Sequence, residues 1–453
     1  MSRRMAAIAG SALAAALVLS GCGSNDGGGG GGSGEDGTES SAAEARVLAR
    51  IGQPKVPEMA GAMGMWTTDR NFVKTGLKNI SGYPLAGGKS QWKVPLSGEV
   101  CWASPEPTKD GKVAILFQDD KDDPSVCNEV GVVDLTKGEL LWHKQSLNEY
   151  GSAEMFDEVT IGGGTVAAAG TSGGAAWKLD GTPLWKPSDE ACDIEGYAGD
   201  ATKLLAVRDC GDTDHPELRV ETVSPTTQKP TSTYKMPTGT EYVHVVSLDP
   251  LVLAADDGDA QGGSGISQFL TVDDSATVGK ALSRIAVGGG KHGKYTAQCP
   301  ATEVTGCTRL AVSKDRNALY LATSDPANST SEAKNDLVSF DLRTGKQTRR
   351  APGSDAGRLV PVDVDEDGRV IAYQEANIIR EEGGAVWQAD PATLKQRKVL
   401  QHPSSSYEME ARFDMDRRVL YAGQRLYLGA DHVTEPSKVY KKAQPLAVVF
   451  GAK

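Results

Sequence analysis

The chain has 453 residues, of which 39% are apolar and 24% are charged, enough to form a large soluble globular core. Its formal net charge is −12, and no basic stripe runs along it. Because a nucleic-acid binder needs a basic surface to neutralise phosphates, this charge balance excludes nucleic acid as a partner.

The N-terminus has the parts of an export signal. Arg3 and Arg4 form a positive region, and the apolar stretch over 5–19 is too short to span a membrane comfortably. Leu19-Ser20-Gly21-Cys22 resembles the lipobox of bacterial lipoproteins, which implies cleavage before Cys22 and a diacylglycerol on its sulfur. We therefore predict a signal peptide over 1–21 and an extracytoplasmic chain anchored to the cell membrane at Cys22. An ordinary secretory signal with a chance cysteine is the alternative, and Sec or twin-Arg export stays open.

Residues 23–43 are rich in Gly, Ser and acidic residues and contain no large apolar side chain. Such a composition is typical of a flexible tether. We predict a lipid anchor and disordered linker over 22–65 and one folded domain over 66–453. Helical periodicity is weak throughout and is confined to 42–51.

The folded region repeats a unit of about fifty residues. One landmark is a strand, a Gly turn and a second strand that often ends in Trp. In three copies a Gly precedes a Trp by four residues: Gly88 and Trp92, Gly138 and Trp142, and Gly181 and Trp185. A second landmark is a hairpin with apolar period two and a charged turn, found at 107–117, 311–323, 362–373 and 413–423.

Each unit therefore supplies four strands, which can bury both faces only by packing against other units in a ring. The fold class predicted is all-β, a single β-propeller of four-stranded blades. Seven blades are predicted, with the C-terminal hairpin over 409–428 completing the first blade. Eight is the alternative, if 446–450 and 56–68 form strands of a further blade.

The units resemble the PQQ-binding-like, or quinoprotein-type, β-propeller repeat, whose docking motif runs A-x-D-x-x-T-G-K-x-x-W. The copy over 134–142 departs from it at Lys137 and Glu139, and the copy over 341–349 lacks the final Trp. The resemblance covers about residues 70–430 and implies the fold. It does not imply an activity, since many members bind no quinone, and we predict no cofactor. Trp92, Trp142 and Trp185 are expected to pack between blades.

Six cysteines remain besides Cys22, and an even number in an exported chain indicates disulfides. We predict that neighbours along the chain pair, as Cys101–Cys127, Cys192–Cys210 and Cys299–Cys307. The middle pair is symmetric about Ala201, the centre of a hairpin turn.

Three motifs resemble chemical sites. The G-x-S-x-G over 170–174 lacks the strand-to-helix turn of a nucleophile elbow, and the glycine-rich 288–294 lacks the Ser or Thr and the helix of a P-loop. Asp363, Asp365 and Asp367 match the start of a Ca²⁺ loop, but its twelfth position is Gln374 and the segment aligns with hairpin turns. We predict that the first two motifs are connections between strands and that the third is a bare hairpin turn. Its three aspartates are a weak metal candidate, and we predict no catalytic residue.

Loop length differs between the two ends of the predicted blades. Connections from second to third strands, and from one blade to the next, hold the insertions at 118–128, 256–265, 288–306, 324–335 and 374–384. Insertions on one face commonly mark a binding surface. Acidic candidates for that surface are Asp119, Asp120, Asp256, Asp257, Asp325, Glu332 and Glu381.

We predict a monomer that binds an envelope protein or an extracellular small molecule with this face and meets the membrane only through its lipid. A quinone-dependent dehydrogenase is one alternative, although no two cysteines are adjacent. A carbohydrate-active propeller is another, for which the sequence places no carboxylate pair.

Overall fold

The computed structural model describes residues 42–119, 126–170, 172–187, 192–212, 215–258, 265–287, 294–324, 334–353, 357–413, 417–434 and 444–452. These residues form strands almost throughout. The helical elements among them are the single-turn α1 (Tyr407–Glu410), flanked by 3₁₀ turns at Ser404–Ser406 and Ala411–Phe413. None of the described helices is long and apolar enough to cross a bilayer.

The strands of the first half are β1 (Ala43–Gly52), β2 (Ala60–Gly61), β3 (Met65–Thr67), β4 (Asn71–Thr75), β5 (Asn79–Pro84), β6 (Trp92–Pro95), β7 (Val100–Ala103), β8 (Lys112–Gln118), β9 (Cys127–Asp134), β10 (Glu139–Lys144), β11 (Glu158–Gly162), β12 (Thr165–Gly170), β13 (Gly173–Lys178), β14 (Pro183–Trp185), β15 (Asp193–Gly199), β16 (Leu204–Asp209), β17 (Leu218–Val223) and β18 (Pro230–Lys235). Those of the second half are β19 (Tyr242–Leu248), β20 (Leu251–Asp256), β21 (Gln268–Asp273), β22 (Lys280–Ala286), β23 (Leu310–Ser313), β24 (Ala318–Ala322), β25 (Asp336–Asp341), β26 (Gln347–Pro352), β27 (Leu359–Val364), β28 (Val370–Gln374), β29 (Ala385–Ala389), β30 (Gln396–Gln401), β31 (Arg417–Ala422), β32 (Arg425–Ala430), β33 (His432–Val433) and β34 (Pro445–Ala452).

Consecutive strands pair in antiparallel fours. Separate four-stranded sheets are formed by β3–β6, β7–β10, β11–β14, β15–β18, β19–β22 and β23–β26. An eight-stranded sheet has the order β27-β28-β29-β30-β1-β34-β32-β31, in which the outer strand β30 meets β1 in a short parallel pairing. First strands contact one another from β7 through β11 and β15 to β19 and from β23 through β27 to β31, and β31 contacts β3, so the sheets return to their start. This is a β-propeller, and the predicted all-β propeller class is confirmed.

Burial follows from the position of a strand within its sheet. Second and third strands are almost wholly buried, as in β20 and β28, because neighbouring sheets cover both of their faces. Fourth strands are largely exposed, as in β10 and β26. The core therefore consists of layers between neighbouring sheets, such as the cluster that joins Trp66 and Val73 to Val113 and Val133.

The predicted closure of the ring is wrong. β31 and β32 do not complete the β3–β6 sheet; they form a hairpin in which β32 pairs with β34, and β34 pairs with β1. β34 is apolar and buried over seven of its eight residues, so it needs a strand on each side, and the N-terminal β1 supplies the outer one. The ends of the described chain are thereby joined in one set of four strands.

The predicted linker over 22–65 and the weak helical pattern at 42–51 are corrected by the same strand. Ala43–Gly52 is β1, and Ala60–Gly61 pairs with β33, so the folded part begins well before residue 66. The sequence of β1 is rich in Ala, Glu, Arg and Leu, which favour helices, and tertiary pairing overrides that preference. Cys22 and the Gly-rich stretch over 23–41 lie outside the described residues.

The Trp residues of the repeat pack between neighbouring sheets, as predicted. Trp92 lies over Gly138, the turn glycine of the next sheet, and Trp142 lies in the same way over Gly181. Both glycines have positive φ, and a Cβ at Gly138 would meet the Trp92 ring at 2.3 Å. Trp142 Nε1 also donates to the Leu179 carbonyl at 2.8 Å. A glycine is therefore required both by the turn and by the ring above it.

Candidate binding face

The connections divide between two ends of the sheets. We call long-loop face the end with connections from second to third strands and from one sheet to the next; its described parts include 53–64, 145–157, 236–241, 294–309, 375–384 and 402–413. The opposite end, the short-turn face, has tight hairpins such as 163–164, 200–203 and 249–250. The structure thus has the length asymmetry that the sequence indicates.

Three disulfides staple the long-loop face. Cys101–Cys127, Cys192–Cys210 and Cys299–Cys307 are all present, so the predicted pairing is confirmed. The first links the starts of β7 and β9, the second links residues flanking β15 and β16, and the third lies within one connection. Each bond constrains a segment at or near this end of the sheets.

The predicted acidic surface is smaller than the sequence suggests. Asp119 and Asp256 are buried, and Asp256 Oδ1 accepts the Gly258 N–H at 3.0 Å, so both serve the strand ends rather than the surface. Asp257 pairs with Arg284 at 3.1 Å. Glu381 is exposed, as predicted. Asp120, Asp325 and Glu332 lie outside the described residues.

Exposed apolar side chains distinguish the long-loop face. Ten large apolar side chains are exposed among the described residues, and six of them lie in its connections: Met59, Leu147, Tyr150, Met155, Ile378 and Ile379. Of the remaining four, Val278 belongs to a short-turn connection and three lie on strands. The sequence interpretation missed 145–157, although its N-x-x-G turn at 148–151 is a recognisable hairpin signal.

The connection between β22 and β23 reaches across to other sheets. Val245 N–H donates to the Val304 carbonyl at 2.7 Å, and Val304 N–H donates to Glu158 Oε2 at 3.1 Å. His244 Nδ1 donates to the Glu303 carbonyl at 2.7 Å, and burial lowers the His244 pKa, which keeps this ring neutral. Burial raises the pKa of Glu158 well above its usual value. Residues 294–309 are therefore packed against β11 and β19, and we call this segment the plug.

A cavity of about 530 Å³ lies between this plug and the ends of the innermost strands at the short-turn face. Glu106, Asp200 and Asp363 line it with Arg309 and Arg418. Burial is the main cause that raises the pKa of Glu106, and repulsion from Asp363 and Asp200 raises it further. The pKa of Asp363 is raised by enclosure and then by Asp365. Glu106 and Asp363 thus resist ionisation. At Asp200, by contrast, burial is outweighed by hydrogen bonds from Thr202 and Lys203, which lower its pKa.

The three aspartates of the weak metal candidate do not converge. Asp363 lines the cavity, whereas Asp365 Oδ1 accepts the N–H groups of Asp367 and Arg369 in its own hairpin turn. Asp367 pairs with Arg369 at 2.9 Å. The predicted hairpin turn is therefore present between β27 and β28. Across the described ranges, no three His, Cys, Asp or Glu side chains are placed to hold one metal ion.

The other two motifs occupy connections. Ser172 of the G-x-S-x-G lies in the turn between antiparallel β12 and β13, and its Oγ accepts the Met155 N–H at 3.1 Å. It therefore supports the neighbouring loop and has no strand-to-helix setting. Residues 288–293 of the glycine-rich motif lie outside the described residues.

A buried polar network ties two long loops together. Glu410 accepts hydrogen bonds from His402, Ser406, Tyr373 and the Gly384 N–H. His402 also stacks on Phe450, with ring centroids 3.9 Å apart. Through Glu410, the connection over 402–413 and the end of the 375–384 connection are held in one arrangement.

No protein-family model and no curated protein sequence matches this chain. Solved structures that resemble it include BamB from Moraxella catarrhalis, at 13% identity and a TM-score of 0.46, covering 89% of this chain and 100% of that one. The quinohemoprotein alcohol dehydrogenase ADHIIG from Pseudomonas putida HK5 is 11% identical, with a TM-score of 0.49, and the match covers 90% of this chain and 76% of that one. The propeller fold of this chain is shown by its own sheet topology.

Proposed function

We propose that this chain is an extracytoplasmic propeller, anchored by a lipid on Cys22, that binds a protein partner with its long-loop face and catalyses no reaction. The observation that carries the proposal is the concentration of exposed apolar side chains on that face. Scattered exposed apolar residues are ordinary, but their collection in the connections of one face favours a docking surface.

The disulfides and the rigid sheets support the same proposal. The three disulfides hold connections of the propeller in an ordered conformation before a partner binds, which lowers the entropic cost of association. Disulfides also persist in extracytoplasmic compartments, where an anchored envelope protein would work.

The proposal is tested by cross-linking in the intact cell. Benzophenone side chains are introduced at Ile379 and Met59 on the long-loop face and at Val278 and Asp367 on the short-turn face. We expect covalent protein adducts from the first pair and none from the second. Adducts from the second pair alone would show that the wrong face was chosen.

An enzymatic role is tested separately. Purified full chain is incubated with pyrroloquinoline quinone and Ca²⁺, and its absorbance is recorded after desalting. We expect no retained quinone. A stoichiometric bound quinone would replace the binding proposal with the dehydrogenase alternative.

The cavity supports a second candidate function, the binding of a small extracellular cation. Burial and neighbouring carboxylates raise the pKa values of Glu106 and Asp363, and a cationic ligand would relieve this repulsion. The test is a calorimetric titration with spermidine, using Glu106→Gln as the variant and Glu381→Gln as the exposed control. If the wild type and both variants give equal heats, the cavity is not the place where spermidine binds.

A further inference from the structure

The connection between β10 and β11 forms a small ordered hairpin. Leu147 and Ala153 form an antiparallel bridge, and the Asn148 N–H donates to the Ser152 carbonyl at 2.9 Å. Asn148 Oδ1 accepts two further backbone N–H groups, those of Tyr150 and Ser152, each at 3.0 Å. Gly151 occupies the turn with φ +81°. The Asn side chain therefore closes the loop that carries Tyr150.

The base of this hairpin is fixed to the sheets. Phe156 is buried in the core between neighbouring sheets, and its N–H donates to the Cys127 carbonyl at 2.9 Å. The Glu154 N–H donates to the Ser146 carbonyl at 2.8 Å, and Met155 is held by Ser172 Oγ. Cys127 itself belongs to a disulfide. The hairpin thus projects from a stapled, well-packed base.

The tip of the hairpin displays apolar surface to solvent. Tyr150 is 84% exposed, the highest value among the large apolar side chains exposed in the described residues, and Leu147 and Met155 are 42% and 41% exposed. A tyrosine presented on an ordered loop loses little conformational freedom on binding and buries a large area, which is the property of an interface anchor.

The charges around the tip favour a protein over a lipid surface. Glu149 precedes Tyr150, and Glu154 lies on the returning arm. Lys186, the one lysine that reaches the described hairpin, donates to the Leu147 carbonyl at its base. Anionic bilayers attract basic segments and repel acidic ones, so these carboxylates oppose insertion into such a membrane. They complement basic residues at the rim of an apolar pocket.

We propose that Tyr150 is the anchor by which this chain docks into an apolar pocket, with a basic rim, on a protein partner. Leu147 and Met155 flank the anchor, and Glu149 and Glu154 face the rim. The inference rests on the proposed function, because it assigns a residue and a partner chemistry to the long-loop face.

The first experiment locates the contact in cells that produce the full chain. A benzophenone side chain replaces Glu149, beside the intact Tyr150, and the matched control replaces Val278, an exposed apolar residue on the opposite face. The cross-linked protein is identified by mass spectrometry. We expect a single adduct from position 149, on a partner peptide that contains apolar residues and Lys or Arg.

The second experiment measures the affinity of the identified partner, purified, for variants of the full chain. Tyr150→Ser should weaken binding at least tenfold and Tyr150→Phe less than threefold, as for an aromatic anchor (about tenfold per 1.4 kcal/mol). Asn148→Ala should weaken binding while Tyr150 is present, because the loop loses its closure. Val278→Ser should leave the affinity unchanged.

Each other outcome overturns a defined part of the inference. If the partner cross-linked at position 149 binds Tyr150→Ser as tightly as the wild type, the assignment of Tyr150 as the anchor is wrong. Adducts from Ile379 but not from 149 overturn the hairpin and leave the proposed function standing, whereas adducts from Val278 alone overturn both. Unlipidated chain is also mixed with phosphatidylglycerol vesicles; binding that Tyr150→Ser abolishes would replace the protein partner with a membrane.

Discussion

His402 Nδ1 lies 2.8 Å from Glu410 Oε2, and both side chains are almost wholly buried. Because the same carboxylate also receives Ser406, Tyr373 and the Gly384 N–H, one charged group orders two connections of the long-loop face. A buried carboxylate with this many donors stabilises its surroundings only while it keeps them all, since losing a partner leaves a buried polar group unsatisfied.

Truncating Glu410 should therefore destabilise the protein strongly. Glu410→Ala removes the buried acceptor that His402, Ser406, Tyr373 and the Gly384 N–H share, and we expect the free energy of unfolding to fall by about 3–5 kcal/mol. The measurement is urea denaturation at neutral pH. Glu381→Ala, at an exposed glutamate of the neighbouring connection, should change it by less than about 0.5 kcal/mol. Equal effects from the two variants would show that the network contributes nothing.

The same carboxylate should make stability sensitive to acid. Burial raises the pKa of Glu410, but His402, Ser406 and Tyr373 outweigh burial, so the folded-state pKa is lowered. A carboxyl group whose pKa is lowered by folding stabilises the protein at pH values above its pKa in the unfolded chain, near 4.5. This contribution disappears as the pH falls through the pKa of the same group in the folded state. Denaturation series below pH 5 should lose stability faster for the wild type than for Glu410→Gln. Parallel curves would contradict this.

Lys74, at the junction of the N-terminal segment and β4, predicts a rise of stability with pH in a second, alkaline range. Its ammonium group donates to the carbonyls of Ala62 and Gly64. Burial lowers the Lys74 pKa to about 7; Asp431 opposes this shift, and Arg418 adds to it. Between pH 7 and 10.5 the unfolded chain binds the extra proton, so stability should rise with pH by at most about 1.4 kcal/mol per unit.

The variant Lys74→Met removes the titrating group and keeps the length of the side chain. Its unfolding free energy, measured between pH 7 and 10, should vary less with pH than that of the wild type. Lys78→Met, at a lysine in the β4–β5 turn, serves as the control and should follow the wild type. If Lys74→Met also followed the wild type, the assignment to Lys74 would be wrong.

Much of the fold could be predicted from local patterns, because the four-stranded units repeat similar turns, and Trp92 and Trp142 each lie over the turn glycine of the next unit. The closure could not, since β1 consists of helix-favouring residues and becomes a strand only beside the buried β34. The acidic face was overestimated because a charged residue at a strand end, such as Asp256, can be buried and closed by its own turn. The Tyr150 hairpin was missed because the apolar residues Leu147, Tyr150 and Met155 do not show from sequence whether they face the core or solvent.

Anchoring at Cys22 stays a prediction from the sequence. In native cells the mature chain should begin at Cys22, carry a lipid adduct by mass spectrometry and sediment with membranes. Cys22→Ser should release the chain into the soluble envelope fraction, because a single tether holds it. Unchanged membrane association of Cys22→Ser would contradict the lipid anchor, and Ser24→Ala is the control that should leave anchoring intact.

The three disulfides should contribute unequally, in the order of the loops they close. Their cysteines are separated by 26, 18 and 8 residues for Cys101–Cys127, Cys192–Cys210 and Cys299–Cys307. Since cross-linking a longer loop removes more entropy from the unfolded chain, replacing both cysteines by Ser should lower the free energy of unfolding by about 3–4 kcal/mol for the first pair and about 2–3 kcal/mol for the last.

The last pair should show a further, local effect. Cys299–Cys307 lies in the plug, which is also held by the backbone bonds of Val304 and by His244, so its loss should loosen 294–309 without unfolding the sheets. Hydrogen exchange should therefore rise in 294–309 and stay unchanged in β20. Loss of Cys192–Cys210 is the matched control, and we expect exchange to rise around β15 and β16 instead. Uniform exchange in both variants would show that neither bond acts locally.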